Sequence, residues 1–465
     1  MKKSYELAII GTGPGGYAAA LRAAQLGIKV ISIDRRSRLG GTCLNMGCIP
    51  SKTLLFSTNI WFDILRNLSI HGIELSNPTL NFPKLMRRKE GVVEMLADGV
   101  GMLFKKHDIP LLHGEASFID SNRIQVNTME GPQEIIADNI IIATGSEPIE
   151  LKGFPFDERR VLSSTGALCL QKIPESMLII GGGVIGAEMA SIYSKAGSKV
   201  TVVEMLPYIC SGLDLTLSKH LLPILKKQGI DILISTRVIS AVLQPDEVIV
   251  TVEGEGKLQN LNARTALVSI GRKPHTDGLN LKAAGVKLDE RGYIPVDDHF
   301  RTSQANIFAV GDVIPGIMLA HKATAEGITV VEWLKGINTS VNYVAIPNVV
   351  YTVPEAASVG LTEEEARQNS LEIDVGVFSL RGNPRARCMG EIEGLVKVIG
   401  EKKTGKLIGM HILCEEASEL INQGVIAIQA GMRIEDLAAA PYAHPTLGEA
   451  IKEAALSALG KPLHH

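Results

Sequence analysis

Residues 7–34 read LAIIGTGPGGYAAALRAAQLGIKVISID, and residues 177–204 read MLIIGGGVIGAEMASIYSKAGSKVTVVE. The two stretches align without a gap. Each runs from an apolar segment through a glycine-rich turn into a helical pattern. Each then reaches a glycine (Gly27, Gly197) at the helix end and a second apolar segment closed by an acid. That order is one βαβ unit used twice. It predicts an α/β protein with two Rossmann-like dinucleotide-binding domains.

The glycines have separate mechanical reasons. Gly11 and Gly181 permit the sharp turn off the strand, Gly13 and Gly183 let the backbone approach a pyrophosphate, and Gly16 and Gly186 let helix pack against strand. The helix N-terminus then offers free N–H groups and partial positive charge to the phosphates. Asp34 and Glu204 each lie 23 residues after the first glycine, where an acid accepts hydrogen bonds from a ribose 2′-OH. A carboxylate at Glu204 repels a 2′-phosphate and no arginine follows nearby, so NAD is favoured over NADP. Two dinucleotide sites imply electron traffic between two carriers.

The totals narrow the class. At 465 residues the chain fits two to three domains of about 150 each. A formal charge of −3 gives no reason to expect nucleic acid or an acidic membrane as partner. Lys2 and Lys3 precede an apolar run, but Glu6 interrupts it and residues 7–10 are too few for a signal peptide. No stretch reaches the ~18 apolar residues of a membrane span, so a cytoplasmic protein is expected.

Between the two copies stands GGTCLNMGCIPSK, residues 40–52, with Cys43 and Cys48 five positions apart. Structural disulfides are rare in a reducing compartment, so the pair is inert, metal-binding or reactive. No CxxC or histidine-rich cluster suggests a metal. Five residues of regular helix separate Cα atoms by roughly 8–9 Å, beyond the ~4.4–6.8 Å that a disulfide spans. The pair therefore bridges only if Asn45 and Gly47 distort the backbone, with Pro50 in the first turn of the helix that follows. A distorted, exposed disulfide is easily reduced. Beside a dinucleotide fingerprint, cysteines exchange electrons readily with flavin. This makes the first copy the expected FAD site and the second the NAD site. A thiol relay also needs a proton acceptor. AHPTLGEA, residues 443–450, offers His444 with Glu449 to orient it. The remaining cysteines, Cys169, Cys210, Cys388 and Cys414, are expected to be buried small hydrophobes.

Taken with ATGS (143–146), GRKP (271–274), AVGDV (309–313), MLAHKATAEG (318–327) and YTVPEAASVGLTEEEA (351–366), these motifs resemble the pyridine nucleotide–disulfide oxidoreductase family over nearly the whole chain. They are most similar to the branch that oxidises protein-bound dihydrolipoamide. The resemblance implies that Cys43 is the interchange thiol and Cys48 the flavin-side thiol. It places Lys52 beside the flavin, paired with Glu188 in the first turn of the second fingerprint helix. Gly41, Thr42, Gly114, Thr144, Gly145, Ser146 and Gly311 are expected to line FAD, and Asp312 to bind its ribityl chain. Met318, Leu319, Ala320 and His321 are expected to begin a helix facing the ring. Val238 and Gly271 are expected on the NAD side.

The implied domains are FAD-binding over 1–147, NAD-binding over 148–272, a return to the flavin domain over 273–345, and an α+β interface domain over 346–465. The implied assembly is a homodimer in which His444 and Glu449 serve the partner's site. Its partners would be the lipoyl domains and core acyltransferase of 2-oxoacid dehydrogenase complexes. Tyr442, Gly448 and Asp34 depart from the commoner His, Ser and Glu, which predicts altered tuning and retained activity. A glutathione-reductase-like enzyme is disfavoured by Glu204. A mercuric-reductase-like enzyme is disfavoured by GKPLHH, residues 460–465, which lacks a cysteine pair. A non-catalytic FAD-containing docking subunit is disfavoured by intact Cys43, Cys48, His444 and Glu449.

Overall fold

The computed structural model describes residues 3–66 and 68–464. They divide into two compact units. One comprises Met1–Leu54, Pro83–Ile149 and Gly271–Val341; the other comprises Leu55–Phe82, Glu150–Ile270 and Asn342–His465.

The first unit is built on a seven-stranded sheet. Its central strand, Lys3–Ile10, runs parallel to Val30–Asp34 on one side and Gly131–Ile142 on the other. Leu111–His113 extends one flank, and Ile307–Ala309 pairs in parallel with the end of Gly131–Ile142. Arg123–Thr128 and Glu115–Phe118 complete the sheet antiparallel. Leu7, Ala8, Ile9, Ile140, Ile141 and Ile142 are fully buried. A strand covered on both faces has to be apolar along its length, which is why these segments read as continuous hydrophobic runs. The helices Pro14–Gln25 and Ala320–Leu334 pack against one another.

The register places the site. Ile10 stands opposite both Ile33 and Ile142, Ala309 opposite Ile142, and Asp34 opposite His113. Gly11, Asp34, Gly114, Ala143 and Val310 therefore leave the sheet together at the carboxyl edge, where open α/β sheets bind their ligands.

The second unit repeats this edge. In its parallel sheet Ile180 stands opposite Val203 and Val268, so Gly181, Glu204 and Ser269 emerge side by side. A three-stranded antiparallel ribbon, Thr236–Leu243, Val248–Gly254 and Lys257–Ala263, follows. The same unit holds a five-stranded antiparallel sheet covered by the helices Ala417–Gln429 and Glu449–Ala458.

A buried charge cluster ties this unit together across long sequence distances. Lys397 Nζ lies 2.9 Å from both carboxylate oxygens of Asp214, the N-cap of the helix Leu215–Lys227. It also meets Glu363 Oε2 at 2.8 Å. His411 Nε2 donates to the Leu361 carbonyl at 3.1 Å, and its Nδ1 faces Ser358 Oγ at 3.0 Å. Burial, opposed by nearby Asp214, pushes the His411 imidazole down to about 4. For Asp214 desolvation acts upward, but His411 and Lys397 outweigh it and hold the carboxyl low.

The linkage has a definite sign. Between about pH 6.5 and 4 the unfolded chain binds a proton at residue 411 that the folded chain refuses, so stability falls as pH falls through that window, by about 3 kcal/mol in all. Melting temperatures of wild type and His411→Gln across pH 4–7 check this. The wild type should lose stability more steeply, and parallel curves would remove His411 as the cause.

Candidate active site

The two fingerprint turns are near copies in three dimensions. Gly11 and Gly181 have φ of +100° and +103°, values that a side chain disfavours. A Cβ on Gly16 would overlap the Gly11 carbonyl oxygen, and one on Gly186 would overlap that of Gly181. The helices Pro14–Gln25 and Val184–Ala196 start at Gly13 and Gly183, and neither N-cap has a side chain bonding its free N–H groups. A Cβ on Gly183 would meet nothing within 4 Å, and one on Gly13 only the Gly41 Cα at 4.0 Å. Open space beside uncapped donors fits a pyrophosphate in both places.

Both fingerprint acids are already engaged with the turn. Asp34 Oδ2 accepts from the Thr12 N–H at 2.8 Å and its hydroxyl at 2.6 Å, and Oδ1 from the Arg36 N–H at 2.9 Å. Glu204 accepts from the Gly182 N–H at 2.6 Å and the Leu206 N–H at 2.8 Å. A carboxylate has about four lone-pair directions, so these bonds fix each acid and leave capacity for a sugar hydroxyl.

The cysteine segment lies directly on the first turn. Gly41 has φ +59°, and its Cβ would fall 2.5 Å from the Gly13 Cα. The Gly40 N–H donates to the Thr12 carbonyl at 2.9 Å. Paired glycines are thus what allow Cys43 to approach the fingerprint. The expected distortion is a break. One helix covers Gly41–Met46, Gly47 leaves helical geometry with φ −145° and ψ −108°, and a second helix covers Cys48–Arg66. A Cβ on Gly47 would press on the Thr42 carbonyl oxygen at 3.0 Å and the Cys43 Cα at 3.4 Å. Pro50 falls in the first turn of the second helix.

Cys43 and Cys48 are not joined by a disulfide in this structure. The Cys43 thiol donates to Cys48. That bond, then burial and the charge of Cys48, raise Cys43 far above an ordinary thiol. Lys52 and the Cys48 N–H pull the other way.

Around these lie the other residues predicted for the first unit. Thr144 Oγ1 donates to the His275 carbonyl at 2.6 Å, and Gly145 has φ +74°. Ser146 Oγ donates to Asp312 Oδ2 at 2.6 Å and accepts from Arg272 Nε at 2.7 Å. Gly311–Val313 forms a single 3₁₀ turn. Thr42 Oγ1 accepts from Arg36 at 3.2 Å, and the Gly114 N–H donates to the Asp34 carbonyl at 3.0 Å. Gly271, expected on the NAD side, falls in the first unit; it has φ +136°, and its carbonyl accepts from the Ile149 N–H at 3.1 Å. Arg272 and Arg36 were missed. The half-buried Arg272 of GRKP holds Ser146.

Several expectations need correction. The helix after GDV runs Ala320–Leu334 with Leu319 as N-cap, so Met318 precedes it and only Ala320 and His321 lie in its first turn. Glu188 is the fifth residue of Val184–Ala196, past the first turn, so the helix dipole does not account for it. Its carboxylate is buried and accepts from the Tyr351 N–H at 3.2 Å. Cys210 and Cys414 are buried as expected, but Cys169 and Cys388 are exposed.

In the second unit, Val238 pairs with Val252 beside a bulge. His444 Nδ1 meets Glu449 Oε1 at 2.9 Å with its side chain 67% exposed, and Glu449 Oε2 accepts from the Thr446 N–H at 2.8 Å. Partial desolvation acts upward on Glu449, but Thr446 and His444 outweigh it and hold the carboxyl low. The imidazole is thereby held at one nitrogen on a largely exposed side chain. The departures Tyr442 and Gly448 are neighbours: a Cβ at 448 would lie 3.4 Å from the Tyr442 ring.

Residues 5–327 match the sequence family described as pyridine nucleotide-disulphide oxidoreductase, and residues 346–455 match its dimerisation domain. The mitochondrial dihydrolipoyl dehydrogenase of Pisum sativum is 44% identical over 462 residues, 99% of this chain and 92% of that one. The dihydrolipoamide dehydrogenase of Chaetomium thermophilum is 44% identical over 463 residues, again 99% and 92%. Among solved structures, LpdA from Mycobacterium tuberculosis superposes with a TM-score of 0.89 at 27% identity, covering 97% of this chain and 99% of that one. The Cu(II) complex of the HOCl-induced flavoprotein disulfide reductase RclA from Escherichia coli gives 0.87 at 30%, covering 98% and 99%.

Replacing Gly16 or Gly186 by Ala separates the two turns. Forcing a methyl against backbone costs about 1–3 kcal/mol, which charged to the bound form is about a 5- to 150-fold loss of affinity. Gly16→Ala should purify depleted in flavin, read as flavin absorbance per protein. Gly186→Ala should keep its flavin and lose NADH binding, read by titration. Both variants binding both cofactors normally would refute the assignment.

Proposed function

Because the chain belongs to the pyridine nucleotide-disulphide oxidoreductase family, we propose that it acts as a dihydrolipoyl dehydrogenase, oxidising protein-bound dihydrolipoamide to lipoamide and reducing NAD⁺ to NADH. The observation that carries this reading is the cysteine turn seated on the first fingerprint, Gly41 against Gly13, in a chain whose near-full-length relatives bear that name.

Cys43 and Cys48 form the redox pair, and a disulfide is its oxidised state. One substrate thiol gives its proton to His444, and the resulting thiolate attacks Cys43 Sγ. The Cys43–Cys48 bond breaks and Cys48 leaves as thiolate. The second substrate thiol attacks the sulfur bound to Cys43 and closes lipoamide; Cys43 leaves as thiolate and takes the proton held on His444, which accepts the proton of the second thiol. FAD held at the first turn would supply a two-electron acceptor as Cys43 and Cys48 return to the disulfide, and hydride transfer to NAD⁺. Glu449 fixes the His444 ring. Thr12, Asp34 and the Gly13 N-terminus would hold one dinucleotide; Gly182, Glu204 and the Gly183 N-terminus would hold the other.

The match of residues 346–455 to a dimerisation domain supports a homodimer, and the solvent-open His444 supports action on the partner's cysteines. Lipoyl domains of a 2-oxoacid dehydrogenase complex would present the substrate. Losing a general base costs about 10²–10⁴ in rate, so His444→Gln should be nearly inactive and Glu449→Gln less impaired. Cys43→Ser and His444→Gln, mixed equally under subunit exchange, should recover about a quarter of wild-type NAD-linked dihydrolipoamide oxidation, because half the dimers gain one competent site. Exchanged mixtures that stay inactive would place His444 at its own subunit's site or remove it as the base.

A further inference from the structure

Gly311 precedes Asp312, and both its backbone polar atoms are taken by buried charge. Its N–H donates to Glu326 Oε2 at 2.7 Å, and its carbonyl accepts from Lys322 Nζ at 3.2 Å. Lys322 Nζ and Glu326 Oε1 lie 3.0 Å apart, with the two side chains 2% and 0% exposed. They are four residues apart on Ala320–Leu334, on the face of that helix turned toward Gly311. Charge-assisted bonds thus close a triangle around one glycine.

A buried ion pair is weak evidence for stability alone, because desolvation offsets the attraction and apolar residues of similar size often serve as well. Here apolar residues would not serve, since they would strand the Gly311 N–H and leave its carbonyl only the Ile314 N–H at 3.3 Å. Gly311 itself has φ +79°, and its Cβ would approach the Ala323 Cβ to 3.1 Å, so the turn lies tight on the helix. Asp312 is then held from two directions. Lys322 and Glu326 fix the backbone leading into it, while Ser146, itself anchored by Arg272, fixes its carboxylate.

We propose that Lys322 and Glu326 are positioning residues of the flavin site, clamping the Gly311 peptides so that Asp312 and the first turn of Ala320–Leu334 are set for FAD. This rests on the flavin reading above. The pair touches Gly311 and acts through Asp312.

The test measures FAD binding to apoprotein, by flavin fluorescence, beside apoprotein melting temperature. Glu326→Gln should weaken FAD at least about tenfold at temperatures well below its melting point. Lys322→Met should do the same. Should Lys322→Met fail to fold, Lys322→Arg, which keeps the charge but displaces it, reads the same constant and should show a smaller loss. Asp312→Asn should weaken FAD in the wild-type background and add much less on Glu326→Gln, because coupled residues are not additive. Lower melting temperature with unchanged FAD affinity, or full additivity with Asp312→Asn, would overturn the clamp. Wild-type apoprotein that takes up no FAD would overturn the flavin reading and the clamp with it. Wild type that binds one FAD per chain, with variants that match it, would overturn the clamp alone.

Discussion

Two carbonyl oxygens, those of Gly11 and Gly181, occupy the space that side chains on residues 16 and 186 would need, and the site geometry in each unit follows from that contact. With no side chain in the way, each helix sits down on its strand and its first turn faces the carboxyl edge of the sheet. The register then delivers the remaining segments to that edge: Asp34, Gly114, Ala143 and Val310 in one unit, Glu204 and Ser269 in the other. Gly41 applies the same device a third time, letting the cysteine turn rest on Gly13. Close backbone approach, available only to glycine, brings redox chemistry to a nucleotide-binding edge.

Charge contributes where it is buried. The chain carries a formal charge of only −3, and surface pairs such as Arg38–Glu94, about half exposed at 3.4 Å, are worth roughly 0–1 kcal/mol. Lys397–Asp214 and Lys322–Glu326 are different. Removing one partner from a buried pair costs about 3–5 kcal/mol, and both pairs also satisfy other buried polar groups. One holds a helix start against an antiparallel sheet; the other holds the turn before Asp312.

Much of this was legible in the sequence because it is local. The repeated unit lies within 28 residues, the cysteines within six, and His444 five positions from Glu449. The break between the cysteines followed from helix geometry together with Gly47. What escaped was assembled over distance. Nothing near Lys397 announces Asp214, and nothing in GDV announces Lys322 and Glu326, although AHKATAE was in view. Arg272 stood inside a quoted motif, but its partner Ser146 lies 126 positions away. Glu188 stands just past the first turn of its helix, where its buried carboxylate accepts from the Tyr351 N–H, a partner 163 positions away. The exposure of Cys169 and Cys388 is a property of loop placement that composition does not carry.

The bare helix starts at Gly13 and Gly183 have a consequence for the life of the protein in a cell. Helices such as Leu215–Lys227 and Glu363–Gln368 carry a side chain that caps their first N–H groups; these two start on glycine and have none. A molecule without its nucleotides leaves those donors to water, and ligands that bind only the folded form raise its stability by mass action. A cell short of flavin would therefore see this protein decline first in abundance, as less stable chains are cleared by proteolysis, with the surviving filled molecules working at full rate. Vitamin supply would be read out as protein half-life.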